Sequence, residues 1–155
     1  MDGIERLVAG VGLAASWCIV GLAIVQVAII VGRRLGLTSP AAGEGMMWLA
    51  VAVALLAIPH VLQRGAHVAV DALSARWSPR ARTWSMRLAL LCLVLPFALL
   101  LLWLSAPYAW TAFATGEGSV EVAGLGQRWV PKAMVPLFAV LLALQAVASL
   151  LRTPS

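Results

Sequence analysis

Four stretches of this chain contain no Asp, Glu, Lys or Arg: residues 7–32, 45–63, 88–116 and 133–151. Each is near or above the roughly 20 apolar residues needed to cross a bilayer as a helix. Charged residues make up only 11% of the chain, where a soluble domain carries about a quarter. Hydrocarbon supplies no hydrogen bonds, so each spanning segment must satisfy its own backbone, and a helix does that locally. The expected fold is an all-α integral membrane protein with four transmembrane helices, at roughly 7–32, 45–63, 80–115 and 131–151. They form a single membrane domain over residues 1–155.

Between the second and third runs lies QRGAHVAVDALSARWS, residues 63–78. In helical register Val70, Leu73 and Trp77 share one face, while Asp71, Ser74 and Ser78 share another. This stretch is too polar to span. It predicts a short amphipathic interfacial helix at roughly 66–77, with Trp77 at headgroup depth. His67 and Asp71 are an i, i+4 pair within reach of a charge-assisted hydrogen bond.

Basic residues concentrate in the same loop. It carries Arg64, Arg76, Arg80, Arg82 and Arg87, against Arg33 and Arg34 in the first loop and Arg128 and Lys132 in the third. The positive-inside rule then places the second loop and both termini in the cytoplasm. The net charge of +5 borders apolar runs, so it reads as contact with anionic membrane lipids and not with nucleic acid.

Taken in order, residues 1–6 precede a run too long for a cleaved signal peptide, which predicts an uncleaved first span. Gly10, Gly12, Ala14, Ala15, Ser16 and Gly21 give that span small faces for close packing. Gln26, its one strongly polar residue, reads as interhelical glue. After a turn containing Pro40, Glu44 is expected to open the second span and to complement its helix N-terminus. Pro59 is expected to tilt the chain toward the interfacial stretch. Ser78-Pro79 reads as N-cap and first helical position. Arg80, Arg82 and Trp84 follow as headgroup anchors. The third helix is long, about 50 Å for some 35 residues, and must tilt, project, or kink at Pro96 or Pro107. Tyr108 and Trp110 mark the opposite interface.

The third loop, EGSVEVAGLGQRWVPK, is polar and glycine-rich and leads into a fourth span carrying Pro136 and Gln145. Cys18 and Cys92 each sit alone in an apolar run, which suits helix packing and leaves no disulfide exchange to perform. His60 and His67 lack a third ligand in register, so no metal is expected. No nucleotide, zinc-protease or hydrolase motif occurs. Neither catalysis nor a cofactor is expected.

The run Arg64-Gly65-Ala66-His67-Val68-Ala69-Val70-Asp71 after a second span resembles the small, Q-type (DctQ-like) permease subunit of tripartite ATP-independent periplasmic (TRAP) transporters. Further resemblances are Glu44 opening the second span, Ser119 in a glycine-bearing third loop, Trp129 with Pro131, and Pro136 and Gln145. Nearly the whole chain is covered. It departs from the family at Gly45, where a second acidic residue is common. The resemblance implies a non-catalytic subunit in the bacterial inner membrane. Its partners would be a large M-type permease subunit, which moves substrate by a sodium-driven elevator motion, and a periplasmic protein that delivers an organic acid. Arg64, His67, Asp71, Trp77, Arg80, Arg82 and Trp84 would then meet lipid or the large subunit. Glu117, Ser119, Glu121, Arg128, Trp129 and Lys132 would form a periplasmic docking rim. A small four-span multidrug exporter acting as a homodimer is the alternative, but it needs an acid within a span, and Glu44 is peripheral. A membrane enzyme would need paired cysteines or histidines in facing spans.

The arginine-rich second loop sets a topological test. Single cysteines at Ser74 and Ser119 are expected to react with an impermeant thiol reagent from opposite sides of the membrane, Ser119 from the periplasm. Labelling from one side would discard the four-span arrangement.

Overall fold

The computed structural model describes residues 2–37, 39–63, 77–119 and 123–151. Helix α1 is Asp2–Arg34 and α2 is Pro40–Gln63. Helix α3 runs without a break through Pro79–Ala89, Leu90–Val94 and Leu95–Ala114, and α4 is Trp129–Leu151. All four are long and apolar enough to cross a membrane. No strand occurs among the described residues. The expected interfacial helix lies outside them, apart from Trp77, which is exposed just before α3 begins.

The helix ends follow local chemistry. Two starts use the same Ser-Pro dipeptide. Ser78 Oγ accepts from the Ala81 N–H at 3.3 Å, with Pro79 in the first helical position. Ser39 Oγ accepts from Ala42 N–H at 3.3 Å ahead of Pro40. Proline sacrifices nothing there, because the first N–H groups of a helix have no partner within it. The second helix therefore starts at Pro40, and Ser39, not Glu44, caps it.

Two helices end alike. After α1, Leu37 N–H bonds to Gly32 O at 2.8 Å and Gly36 N–H to Arg33 O at 3.3 Å. After α3, Glu117 N–H bonds to Ala112 O at 3.0 Å and Gly116 N–H to Phe113 O at 3.1 Å. Both are Schellman ends, and their pivots Gly36 and Gly116 have φ of +74° and +60°, which only glycine adopts cheaply.

The interior prolines do not end helices. Pro59 is fully buried, and α2 continues past it to Gln63. Ahead of Pro96 the chain makes a π turn over Leu90–Val94, with Leu95 N–H bonded to Leu90 O five residues back. The wider turn moves carbonyls away from the proline ring, which would otherwise clash with the carbonyl four residues before it. The expected kink at Pro96 is thus taken up within a continuous α3.

The helices stand in a row. Helix α1 packs on α2, α2 on α4 and α4 on α3; α1 also touches α4, while α1 and α3 make at most marginal contact. Helix α4 is the most enclosed and α1 the least. The core joins Leu62 of α2, Leu90 and Ala98 of α3, and Phe138, Leu142 and Ala146 of α4. It sits toward the end where α2 stops and α3 starts. Much of the remaining burial is alanine, at Ala15, Ala52, Ala109, Ala112, Ala139 and Ala148, as close packing in lipid favours. Of the small residues expected to form a face on α1, Gly12 and Ala15 are buried, whereas Gly10, Ala14 and Ser16 are exposed.

Gly12 of α1 packs tightly against His60 of α2. A methyl group there would lie 2.5 Å from His60 Cβ and 2.7 Å from its ring Cδ2. His60 Cβ is fixed by the α2 backbone and cannot swing aside. Gly12→Ala should therefore destabilise the detergent-solubilised protein by about 1–3 kcal/mol, read as a lower melting temperature. Adding His60→Ala should recover part of the loss. An unchanged melting temperature in Gly12→Ala would show that the helix pair is looser than this contact implies.

Candidate functional site

Antiparallel helices bring the ends of α1 and α3 and the starts of α2 and α4 to one end of the row. The polar side chains expected at opposite ends of loops converge there. Glu44 lies on the second turn of α2, past the capped N-terminus, so its carboxylate is available for tertiary contacts. One oxygen accepts from the Ser119 hydroxyl, and the other accepts from the Leu125 N–H at 2.5 Å. Arg128 adds a favourable Coulomb interaction. The third loop is latched onto α2 through residues 75 and 81 positions away in sequence.

One glycine makes the latch fit. A methyl group at Gly124 would lie 2.8 Å from Glu44 Oε2 and 2.7 Å from Ser119 Cβ, so the loop backbone reaches the carboxylate only without a side chain there. At Gly45 a methyl would sit in ordinary contact, 3.8 Å from Leu125 Cδ1, so Leu125 rests over that position.

The base of the loop is closed separately. Arg128 N–H bonds to Glu117 O at 3.0 Å, and the side chains of Glu117 and Lys132 form an ion pair. Lys132 Nζ also stands 4.2 Å from the centroid of the Tyr108 ring, a cation–π contact. Phe113 meets Trp129 edge to face at 5.3 Å and 82°. These contacts tie the end of α3 to the start of α4.

The expected docking rim is thereby redistributed. Glu117, Ser119, Arg128, Trp129 and Lys132 do gather at one end, but Glu117 and Lys132 are engaged with each other, 35% and 18% exposed. Glu121 lies outside the described residues, as do Arg64, His67 and Asp71. Trp77, Arg80, Arg82 and Trp84 are exposed at the opposite end, around the start of α3, away from the latch. Sequence reasoning missed Gly124, the Leu125 N–H and the Ser39 cap. The A-G-L-G run was a signal for close backbone approach, and Ser39-Pro40 matched the Ser78-Pro79 start.

Among the described residues neither intramembrane glutamine hydrogen-bonds to another helix. Gln145 is fully buried, and its amide donates to Ser149 Oγ, one turn on in the same helix, at 3.2 Å. The side-chain carbonyls of Gln26 and Gln145 are buried without a hydrogen-bond partner among the described residues. His60 is used in packing against Gly12, and the described residues contain no cluster of His, Cys, Asp or Glu able to hold a metal. The site offers a braced polar surface.

Among known families, the sequence matches the one described as tripartite ATP-independent periplasmic transporters, DctQ component, over residues 8–154. No curated protein and no solved structure matches the chain.

The latch makes a local, measurable claim. Glu44→Ala removes both acceptors, and Gly124→Ala forces the loop backbone away from them. In either variant hydrogen exchange of the Leu125 amide should rise on the order of tenfold or more. Amides in the middle of α4 should be unaffected. Unchanged protection at Leu125 would mean that the loop is held by something other than Glu44.

Proposed function

The chain belongs to the DctQ family, a membrane component of tripartite ATP-independent periplasmic transporters, and on that premise we propose that it is the stationary neighbour of the large M-type permease subunit and part of the surface on which a periplasmic substrate-binding protein docks. The family is one of transporter subunits, not of enzymes, and this member is a multi-pass membrane protein. In the proposed arrangement it sits in the bacterial inner membrane with both termini in the cytoplasm. The end carrying the latch faces the periplasm. The transported substrate is an organic acid, driven by sodium and carried by the large subunit.

The observation that carries this reading is the double fastening of the third loop, at its base by Glu117, Arg128 and Lys132 and further along by Glu44. A docking surface that is already ordered loses less conformational entropy when a partner binds. Two other features support it. The central runs of the spans, 7–32, 45–63, 88–116 and 133–151, contain no Asp, Glu, Lys or Arg, and ion or carboxylate sites in membranes are built from such residues or from broken helices. The row also leaves broad apolar sides on α1 and α3, including Trp17 at 69% and Trp103 at 80% exposure. A large subunit and lipid can cover those sides. An elevator needs one part held still while another slides. A four-helix neighbour with aromatic anchors at both interfaces supplies that resistance through packing area.

Reconstitution separates this role from transport itself. The chain alone in liposomes should show no uptake under a sodium gradient, with or without the periplasmic protein, whereas the assembled complex should. In that complex Glu44→Ala should lower the uptake rate several-fold while leaving co-purification with the large subunit intact. Uptake by the isolated chain would overturn the reading, as would full transport by a complex with the latch removed.

A further inference from the structure

Where α1 ends and α2 begins, the two helices and the turn between them leave a half-open groove of ≈ 720 Å³. Its walls are mainly apolar, with Val25, Ala28 and Ile29 from α1 and Met47 from α2. Its two charged lining residues, Arg33 and Glu44, lie toward the loop end. From Val25 to Arg33 the helix rises about 12 Å, a path from hydrocarbon to headgroup depth.

We propose that this groove is a binding site for one phospholipid from the leaflet at the loop end. Its phosphate is held by the Arg33 guanidinium, and one acyl chain lies along Val25, Ala28, Ile29 and Met47. The order of polarity in the groove matches that of a phospholipid lying along the membrane normal. Arg33 is exposed, and its guanidinium has no ion-pair partner among the described residues. Guanidinium and phosphate form bidentate, charge-assisted hydrogen bonds. Glu44 does not take that place, because its two oxygens are engaged by Ser119 and Leu125. Met47 is 67% exposed, and a flexible thioether side chain conforms to an acyl chain. A transmembrane helix seated here instead would leave Arg33 without a counterion unless it brought an acid to that depth. The bound lipid fixes the depth of α1 and α2 in the bilayer. This inference goes beyond the scaffold role and needs only that the chain is embedded in a membrane, so either can fail without the other.

The test uses the chain assembled with its large subunit and purified in mild detergent, with retained phospholipid counted by native mass spectrometry. Wild type and Arg34→Gln, which alters an exposed arginine off the groove wall, should each retain one phospholipid per chain at this site. Arg33→Gln should retain about tenfold less. A photo-reactive side chain in place of Ala28, with Arg33 intact, should cross-link to phospholipid. Equal retention by wild type and Arg33→Gln would overturn the proposal. So would a cross-link from position 28 to the large subunit or to a second copy of this chain.

Discussion

Hydrocarbon cannot hydrogen-bond to a peptide group, and the course of this backbone is shaped by that constraint. The chain has eight prolines, each of which removes a donor. Pro40, Pro79 and Pro131 stand in the first turns of helices, where the missing N–H had no partner within the helix. Pro96 follows the π turn over Leu90–Val94, which shifts the bonding pattern before the ring arrives. Gly36 and Gly116 end their helices by returning the last carbonyls to backbone donors. The helices can therefore be long and continuous, and long helices leave the loops few residues in which to build a surface.

Helix packing then decides what that surface is. In lipid, apolar side chains gain little from one another, so contact depends on close approach and on polar ties. Gly12 against His60 joins α1 to α2, and alanines line the seams around α4. The same arrangement sets α1 and α3 apart at the two ends of a row. Each keeps a broad apolar side, and such a shape suits a chain that works beside a larger partner. At the loop end the first turns of α2 come within reach of the third loop. Glu44 joins them across a sequence separation that no local rule anticipates.

The latch and the groove share Glu44 and divide its surroundings. On the third-loop side its carboxylate is satisfied by Ser119 and Leu125. It also lines the groove in which Arg33 keeps an uncompensated charge. Arg128 adds a Coulomb interaction with that carboxylate, whereas Arg33 lines the groove. Lys132, paired with Glu117 and placed over Tyr108, braces the junction of α3 and α4.

Much of this protein was legible in one dimension. Charge-free runs and helix periodicity determined four spanning helices, because hydropathy and backbone satisfaction are local properties. The R-G-x-H-V-x-V-D run with its surrounding pattern pointed to the family, since such signatures are read residue by residue. Ser78-Pro79 announced a helix start, and Ser39-Pro40 carried the same signal inside what read as a turn. What the sequence left undecided depends on residues far apart in the chain. Glu44 had a sufficient local explanation as a helix-end acid, and only the tertiary structure turned its carboxylate toward Ser119 and Leu125. Glu117 and Lys132 looked like a rim open to a partner, and only the meeting of α3 with α4 paired them. Local chemistry determines where helices begin and end; the antiparallel packing of those helices decides which of their polar ends meet.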